Sequence, residues 1–163
     1  MVGEMNKVIF EPSKSKLGDM DAKYAILIAY LGVIILGFIS GAQFVGWIVP
    51  LIIYFVDKDN KFIAFHAMQS LLLGVVAAVV YIILAIVIFA ATVNAVAGAV
   101  TLNAFGLGAG IVAVAIAGVV AVIIAILVLI MLILACVNGY KYEIYEIPLV
   151  GKWAEKIVFK TSD

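Results

Sequence analysis

The sequence contains no arginine, and its charged side chains, ten lysines and ten acids, account for only 12% of its 163 residues. Soluble domains carry about twice that share of charge, so this chain cannot build a solvated surface of ordinary charge density. The formal net charge is zero, which excludes the basic surface that nucleic-acid phosphates require. With 67% hydrophobic residues, the composition predicts an integral membrane protein that does not bind nucleic acid.

Cysteine and histidine are almost missing as well. The single cysteine, Cys136, cannot form an internal disulfide. The single histidine, His66, leaves no Cys/His cluster with the spacing of a zinc site. We therefore expect neither a metal site nor a cofactor.

The charges occupy three segments, 1–23, 57–61 and 141–163, and leave two uncharged stretches, 24–56 and 62–140. Charged residues inside the membrane are the usual mark of proton relays and ion coupling. Because neither stretch contains one, a proton- or sodium-coupled transporter is not expected.

Roughly 20 residues cross a hydrocarbon core of about 30 Å, so the stretch 62–140 is long enough for two membrane spans. The stretch 24–56 exceeds one span but falls short of two comfortable ones, so its length alone does not decide. The first stretch is interrupted by the polar residues 40–43, and the second by residues 93–109, whose asparagines and glycines predict a loop. The predicted fold class is an all-α integral membrane protein with four transmembrane helices, at about 20–39, 43–57, 64–92 and 110–137.

The two ends of the chain receive separate interpretations. Residues 1–18 alternate lysines with acids and are expected to form a mobile cytoplasmic tail ahead of a membrane domain at 19–158. Residues 149–160 place apolar side chains, among them Trp153, opposite lysines at helical spacing. This pattern predicts a C-terminal interfacial amphipathic helix; the alternative is a short helix packed on the bundle.

The positions of the lysines predict the orientation. With four spans, all ten lysines lie on one side, and the loops at 40–43 and 93–109 on the other side have none. If 24–56 crosses the membrane only once, the chain has three spans. The lysines then divide between the two sides, and no orientation is preferred. The positive-inside rule therefore favours four spans in the cytoplasmic membrane, with both termini cytoplasmic.

A polar stripe opens the third predicted span, where Phe62, His66 and Gln69 share one face of a helix. One interpretation is interfacial anchoring or an interhelical hydrogen bond. The other is a cytoplasm-facing, pH-sensitive docking site for a partner or for the carboxyl-terminal tail. The counterparts expected in that tail are Glu143, Glu146 and Trp153.

Small residues at helical spacing predict close helix packing. Dimerisation and packing within one chain are both consistent with such a pattern. The positions are Gly37, Gly41, Ser70, Gly74, Ala113, Ala117 and Ala121. Ser70 also lies four residues after His66, but no third catalytic group accompanies the pair, so an enzyme is not expected.

Two runs, 57–70 (DKDNKFIAFHAMQS) and 147–157 (IPLVGKWAEKI), resemble paired motifs of a family of small bacterial and archaeal membrane proteins. That family is grouped with the twenty-kilodalton Tic subunit of the chloroplast inner-envelope protein-import machinery. Residues 17–31 (LGDMDAKYAILIAYL) resemble its amino-terminal segment, whereas Ala64 stands where relatives often have a basic residue. The resemblance implies a four-span helical protein with no enzymatic activity and no catalytic residues; protein import belongs to the plastid relatives.

The sequence thus predicts a non-enzymatic membrane protein that acts through helix packing and partner binding, as a subunit of a membrane assembly. Its expected partners are the lipid bilayer and either further copies of itself or other membrane proteins. The alternative is an uncoupled channel or small-solute facilitator, which would need a continuous polar path between helices. A lipid-modifying enzyme is the third reading.

The four-span topology in the cytoplasmic membrane predicts a labelling pattern in intact cells. In a Cys136→Ala background, the variants Ser40→Cys and Asn103→Cys should react with an impermeant thiol reagent, because both positions lie outside the membrane. The variant Asn60→Cys should stay unlabelled until the membrane is permeabilised. Labelling of Asn60→Cys in intact cells would overturn the topology.

Overall fold

The computed structural model describes residues 9–38 and 45–160, and its regular elements are all helices. Within these residues the extended backbone is limited to two isolated β-bridges. The helices are α1 (Ala22–Phe38), α2 (Ile48–Val56), α3 (Lys61–Val100), α4 (Ala104–Tyr140) and α5 (Val150–Lys160). The all-α class predicted from the sequence is confirmed for this part of the chain.

Two helices, α3 and α4, are long and apolar enough to cross a membrane. Their 40 and 37 residues correspond to about 60 and 55 Å at 1.5 Å per residue, more than a hydrocarbon core of roughly 30 Å. The segment Ala22–Leu36 in α1 is a shorter apolar helix. Two of the four predicted spans thus have membrane-spanning length among the described residues, and the four-span fold is not confirmed.

α2 is shorter than the span expected at 43–57. A turn at 45–47 precedes it, and its nine residues cover about 14 Å. Pro50 falls in its first turn, where the missing N–H has no partner within the helix to lose. The proline therefore fits the start of α2 without breaking a backbone hydrogen bond.

The loop expected at 93–109 is replaced by helix, with only residues 101–103 between α3 and α4. The polar side chains that predicted a loop serve the helices instead. Asn94 Nδ2 donates to the Ala90 carbonyl at 2.9 Å, and Thr101 Oγ1 donates to the Ala97 carbonyl at 2.8 Å. Asn103 Oδ1 accepts from the Phe105 backbone N–H at 3.2 Å, as a helix-capping side chain does.

The chain divides into two compact units. Unit 1 comprises Met1–Val75 and Met131–Asp163, and unit 2 comprises Val76–Ile130.

Unit 2 is held together by close approach at glycines. A Cβ added at Gly98 would lie 2.2 Å from the Leu107 backbone nitrogen, and one added at Gly110 would lie 2.6 Å from the Ala91 carbonyl oxygen. Ala117, predicted as a packing residue, is buried, while Ala113 and Ala121 are half-buried. Small residues let helix backbones approach where lipid supplies no hydrophobic drive for association.

Unit 1 contains the close approach of α1 and α2. A Cβ added at Gly32 would lie 2.8 Å from Val49 Cγ1. Of the predicted Gly37–Gly41 pair, Gly37 belongs to α1 and Gly41 lies outside the described residues. Gly74, also predicted to pack closely, has no atom within 4 Å of its added Cβ, because no backbone approaches α3 there.

Within unit 1, the amino-terminal segment packs on α3 and on Asp57 from residue 10 onward, instead of forming a mobile tail as far as residue 18. The Phe10 ring stacks on Phe62 with centroids 5.1 Å apart, and Phe62 stacks on Tyr142 at 5.7 Å. The buried carboxylate of Asp57 accepts hydrogen bonds from the Ser15 hydroxyl and the Lys16 backbone N–H. A buried carboxylate needs such donors, so this segment is part of the fold from residue 10 onward.

We predict opposite outcomes for two glycine-to-alanine changes in α4. Gly110→Ala should destabilise unit 2 by about 1–3 kcal/mol, because the new methyl group must displace backbone atoms of α3. Gly118 has no atom within 4 Å of its added Cβ, so Gly118→Ala should be neutral or stabilising by up to about 1 kcal/mol. Unfolding of the purified variants in detergent, followed by circular dichroism, measures both; equal losses would refute the packing at Gly110.

Candidate functional site

Three polar side chains meet inside unit 1 without any exposure to solvent. Tyr30 comes from α1, and His66 and Gln69 come from one face of α3; each is 0% exposed. Tyr30 Oη lies 3.1 Å from His66 Nδ1, and Gln69 Nε2 donates to Tyr30 Oη at 2.9 Å. The two helices are therefore joined by a buried hydrogen-bonded network.

The network continues into the segment that follows α4. Gln69 Nε2 also donates to the Tyr145 carbonyl at 3.0 Å, and Gln69 Oε1 accepts from the Ile147 backbone N–H at 3.0 Å. One carboxamide thus bonds α1 and two backbone groups of the carboxyl-terminal segment. This segment lies between Tyr142 and Leu149, whose φ angles are positive, at 61° and 71°.

The hydrogen bonds of this network have one consistent direction. The Ile147 N–H can only donate, so the atom that it meets is the Gln69 oxygen, and the Gln69 nitrogen donates to Tyr30. Because the Tyr30 hydroxyl accepts from Gln69, its own proton is available to His66 Nδ1, and this arrangement is consistent with a neutral imidazole that carries its proton on Nε2.

His66 Nε2 is distinctive among the described residues, because it is the one fully buried side-chain nitrogen or oxygen without a hydrogen bond. The ring lies against the rings of Phe62, Phe65 and Tyr30, all edge-to-face, at centroid distances of 5.0, 5.4 and 5.9 Å. The Glu143 backbone is a polar neighbour of the imidazole, but it forms no hydrogen bond of normal geometry with Nε2. Three aromatic rings thus pack against the imidazole.

Glycines allow the carboxyl-terminal segment to approach the network. A Cβ added at Gly139 would lie 2.7 Å from Ile26 Cγ2, and one added at Gly151 would lie 2.9 Å from Gln69 Oε1. α5 buries Ala154 and Val158 and leaves Trp153 49% exposed. α5 therefore packs on unit 1 by one face, which was the alternative to a purely interfacial helix.

The structure brings some of the predicted docking residues together and separates others. Phe62, His66 and Gln69 are all buried beneath the carboxyl-terminal segment, so His66 does not face the cytoplasm as a water-accessible site requires. His66 Nδ1 bonds Tyr30 and not a carboxylate of Glu143 or Glu146. Trp153, the remaining predicted residue, lies on the exposed face of α5.

Glu143 and Glu146 contribute in other ways. Glu143 forms an antiparallel bridge with Ile9 and so connects the two terminal segments. Desolvation raises the pKa of the Glu146 carboxyl, nearby Glu155 raises it further, and Lys152 opposes the shift. Glu146 is therefore a partly desolvated acid beside the network, with Glu155 and Lys152 as its charged neighbours.

Sequence reasoning missed Tyr30, which completes the network. Its signal was present, because a buried phenol hydroxyl within an apolar helix needs a hydrogen-bond partner. The backbone groups of Tyr145 and Ile147 had no such signal, since any residue carries them. Asp57 belongs to the charged segment 57–61, which gives no sign of burial in the sequence, yet it is 1% exposed.

The arrangement is suited to holding segments together. The Ser70 hydroxyl donates to the Ala29 carbonyl at 2.8 Å, and this bond ties α3 to α1. The hydroxyl proton is therefore directed to Ala29 and not to His66. Among the described residues, no group of three His, Cys, Asp or Glu side chains could hold a metal ion.

We predict that Gln69→Leu releases the carboxyl-terminal segment. The change leaves the Ile147 N–H and the Tyr145 carbonyl buried without partners, which costs about 1–3 kcal/mol for each group. Hydrogen exchange of the 143–150 amides should therefore accelerate. Asn94→Leu is the matched control, since that exposed amide bonds only its own helix; equal acceleration in both variants would contradict the role of Gln69.

A comparison with known proteins places the chain in a family. Residues 21–154 match the magnetosome magnetite crystal formation protein family. No curated protein and no solved structure matches the chain. The matched region includes α1 to α4 and the whole buried network, and it lends no support to the expected grouping with the Tic subunit. The chain therefore belongs to the magnetosome magnetite crystal formation protein family.

Proposed function

We propose that the protein is a non-enzymatic subunit of a magnetosome membrane assembly and that it contributes to magnetite crystal formation by binding partner proteins. The family match supports the process. The single observation that supports the mode of action is the buried Gln69 network, which holds the carboxyl-terminal segment against α3 and α1. Every polar bond in it joins parts of the chain, as expected of a scaffold.

The proposed binding surface is formed by three charged segments that contact one another in unit 1. Residues 9–21 bond the 57–61 turn through Asp57 and Asn60, and Phe10 bonds the Tyr142 carbonyl at 2.9 Å. We name the surface formed by residues 9–21, the 57–61 turn and the segment that follows α4 the charged face. Its exposed groups include both signs, and rigid placement of such groups favours selective partner recognition over affinity.

The same contacts support the proposed topology. Segments that touch must lie on one side of a membrane, so the chain returns to its starting side between residues 21 and 57 and again between residues 61 and 140. All ten lysines lie in or beside these segments, and the positive-inside rule makes that side cytoplasmic. The proposal therefore includes four membrane-embedded helices, with α1 and α2 forming the shorter pair.

The proposal predicts a defect in crystal growth when the charged face is loosened. In a magnetosome-forming host from which the family member is deleted, the wild-type chain and Asn94→Leu should restore crystal size, measured by electron microscopy. Gln69→Leu should restore it only in part, at equal protein levels in isolated membranes. Full restoration by Gln69→Leu, despite a released carboxyl-terminal segment, would refute the scaffold role; unchanged crystals in the deletion host would refute the process.

A further inference from the structure

A cavity of about 270 Å³ lies in unit 1 beside the end of α2 and the last turns of α5. The polar side chains in its wall belong to Tyr54, Lys58, Asp59 and Lys61, and Ile157 and Val158 complete it. Cavities for drug-sized molecules begin at about 300 Å³. This one therefore suits a single small group, such as a phosphate with its immediate substituents.

The charge around this cavity favours an anion. Lys61 Nζ donates to the Val158 carbonyl at 2.8 Å, which fixes one ammonium group in the wall, and Lys58 is exposed beside it. The one acid, Asp59, is bound by Lys16 Nζ at 2.6 Å, and that contact holds the pKa of the Asp59 carboxyl below its ordinary value. The cavity wall thus carries two lysines against one acid, whose charge is paired with Lys16 outside the wall.

The two helices that contribute to the cavity also carry exposed apolar side chains. On α2, Ile52 is 50% and Phe55 is 63% exposed, and on α5 Ile157, in the cavity wall, is 39% exposed. A cationic cavity on helices with exposed apolar side chains matches the two parts of a phospholipid, whose phosphate is anionic and whose chains are hydrocarbon. Tyr54 has the amphipathic shape that is enriched at the membrane interface.

We propose that this cavity binds the phosphate of an anionic phospholipid headgroup. Lys58 and Lys61 contact the phosphate, Tyr54 contributes its hydroxyl, and the acyl chains extend along Ile52 and Phe55 into the bilayer. A free phosphate ion would use the same lysines but none of the exposed apolar side chains. The site shares the 57–61 turn with the charged face but uses no residue of the Gln69 network, so its test is separate from that of the scaffold role.

The test titrates the purified full-length chain in detergent with phosphatidylglycerol and counts bound lipid by native mass spectrometry. Lys58→Gln should weaken phosphatidylglycerol binding about fivefold, the effect of removing one lysine charge near a lipid phosphate. Lys58 is exposed, so the fold should survive, and circular dichroism checks this. Lys152→Gln, an equal loss of charge on α5 outside the cavity, is the matched control and should leave binding unchanged.

Two further arms identify the source of the phosphate. Phosphatidylcholine at the same concentration should bind more weakly than phosphatidylglycerol, and inorganic phosphate should fail to displace the bound lipid. Displacement by inorganic phosphate would overturn the lipid assignment. Equal binding of the two lipids, or an equal loss in Lys58→Gln and Lys152→Gln, would overturn the cavity as an anion site.

Discussion

Polar groups in a low-dielectric interior must find partners, and the carboxamide of Gln69 satisfies this constraint for three parts of unit 1 at once. It donates to Tyr30 of α1 and to the Tyr145 carbonyl, and it accepts from Ile147. Because each of these groups would be costly if left unpaired, the position of the carboxyl-terminal segment depends on this side chain. The packing of α5 and the burial of His66 follow from the position of this segment.

The segments of the charged face are joined by a second set of contacts. Phe62 is stacked between Phe10 and Tyr142, so one aromatic ring of α3 is covered by both terminal segments. Asp57 adds a buried carboxylate whose donors come from the amino-terminal segment. Stacked rings and charge-assisted hydrogen bonds are both directional, which makes the charged face a defined surface on which a partner can act.

Packing in unit 2 has a different physical basis. Its helices present almost entirely apolar side chains, and lipid chains are as apolar as those side chains, so burial supplies little net drive. Close backbone approach at Gly98 and Gly110 supplies dispersion contacts instead. The stability of unit 2 thus depends on close packing at a few glycines, whereas that of unit 1 depends on paired polar groups. Substitutions should therefore destabilise the two units for different reasons.

The sequence by itself determined the membrane environment, the helical class, the two long spans and the stripe of Phe62, His66 and Gln69, because composition and periodicity are local properties. It could not determine that Asn94 and Thr101 would bond their own helix, since the same residues also occur in loops. Only the tertiary structure decided that Tyr30 meets His66 and that Gln69 meets Tyr145 and Ile147. Those contacts join residues 36 to 78 positions apart, and two of them use backbone groups that carry no sequence signal.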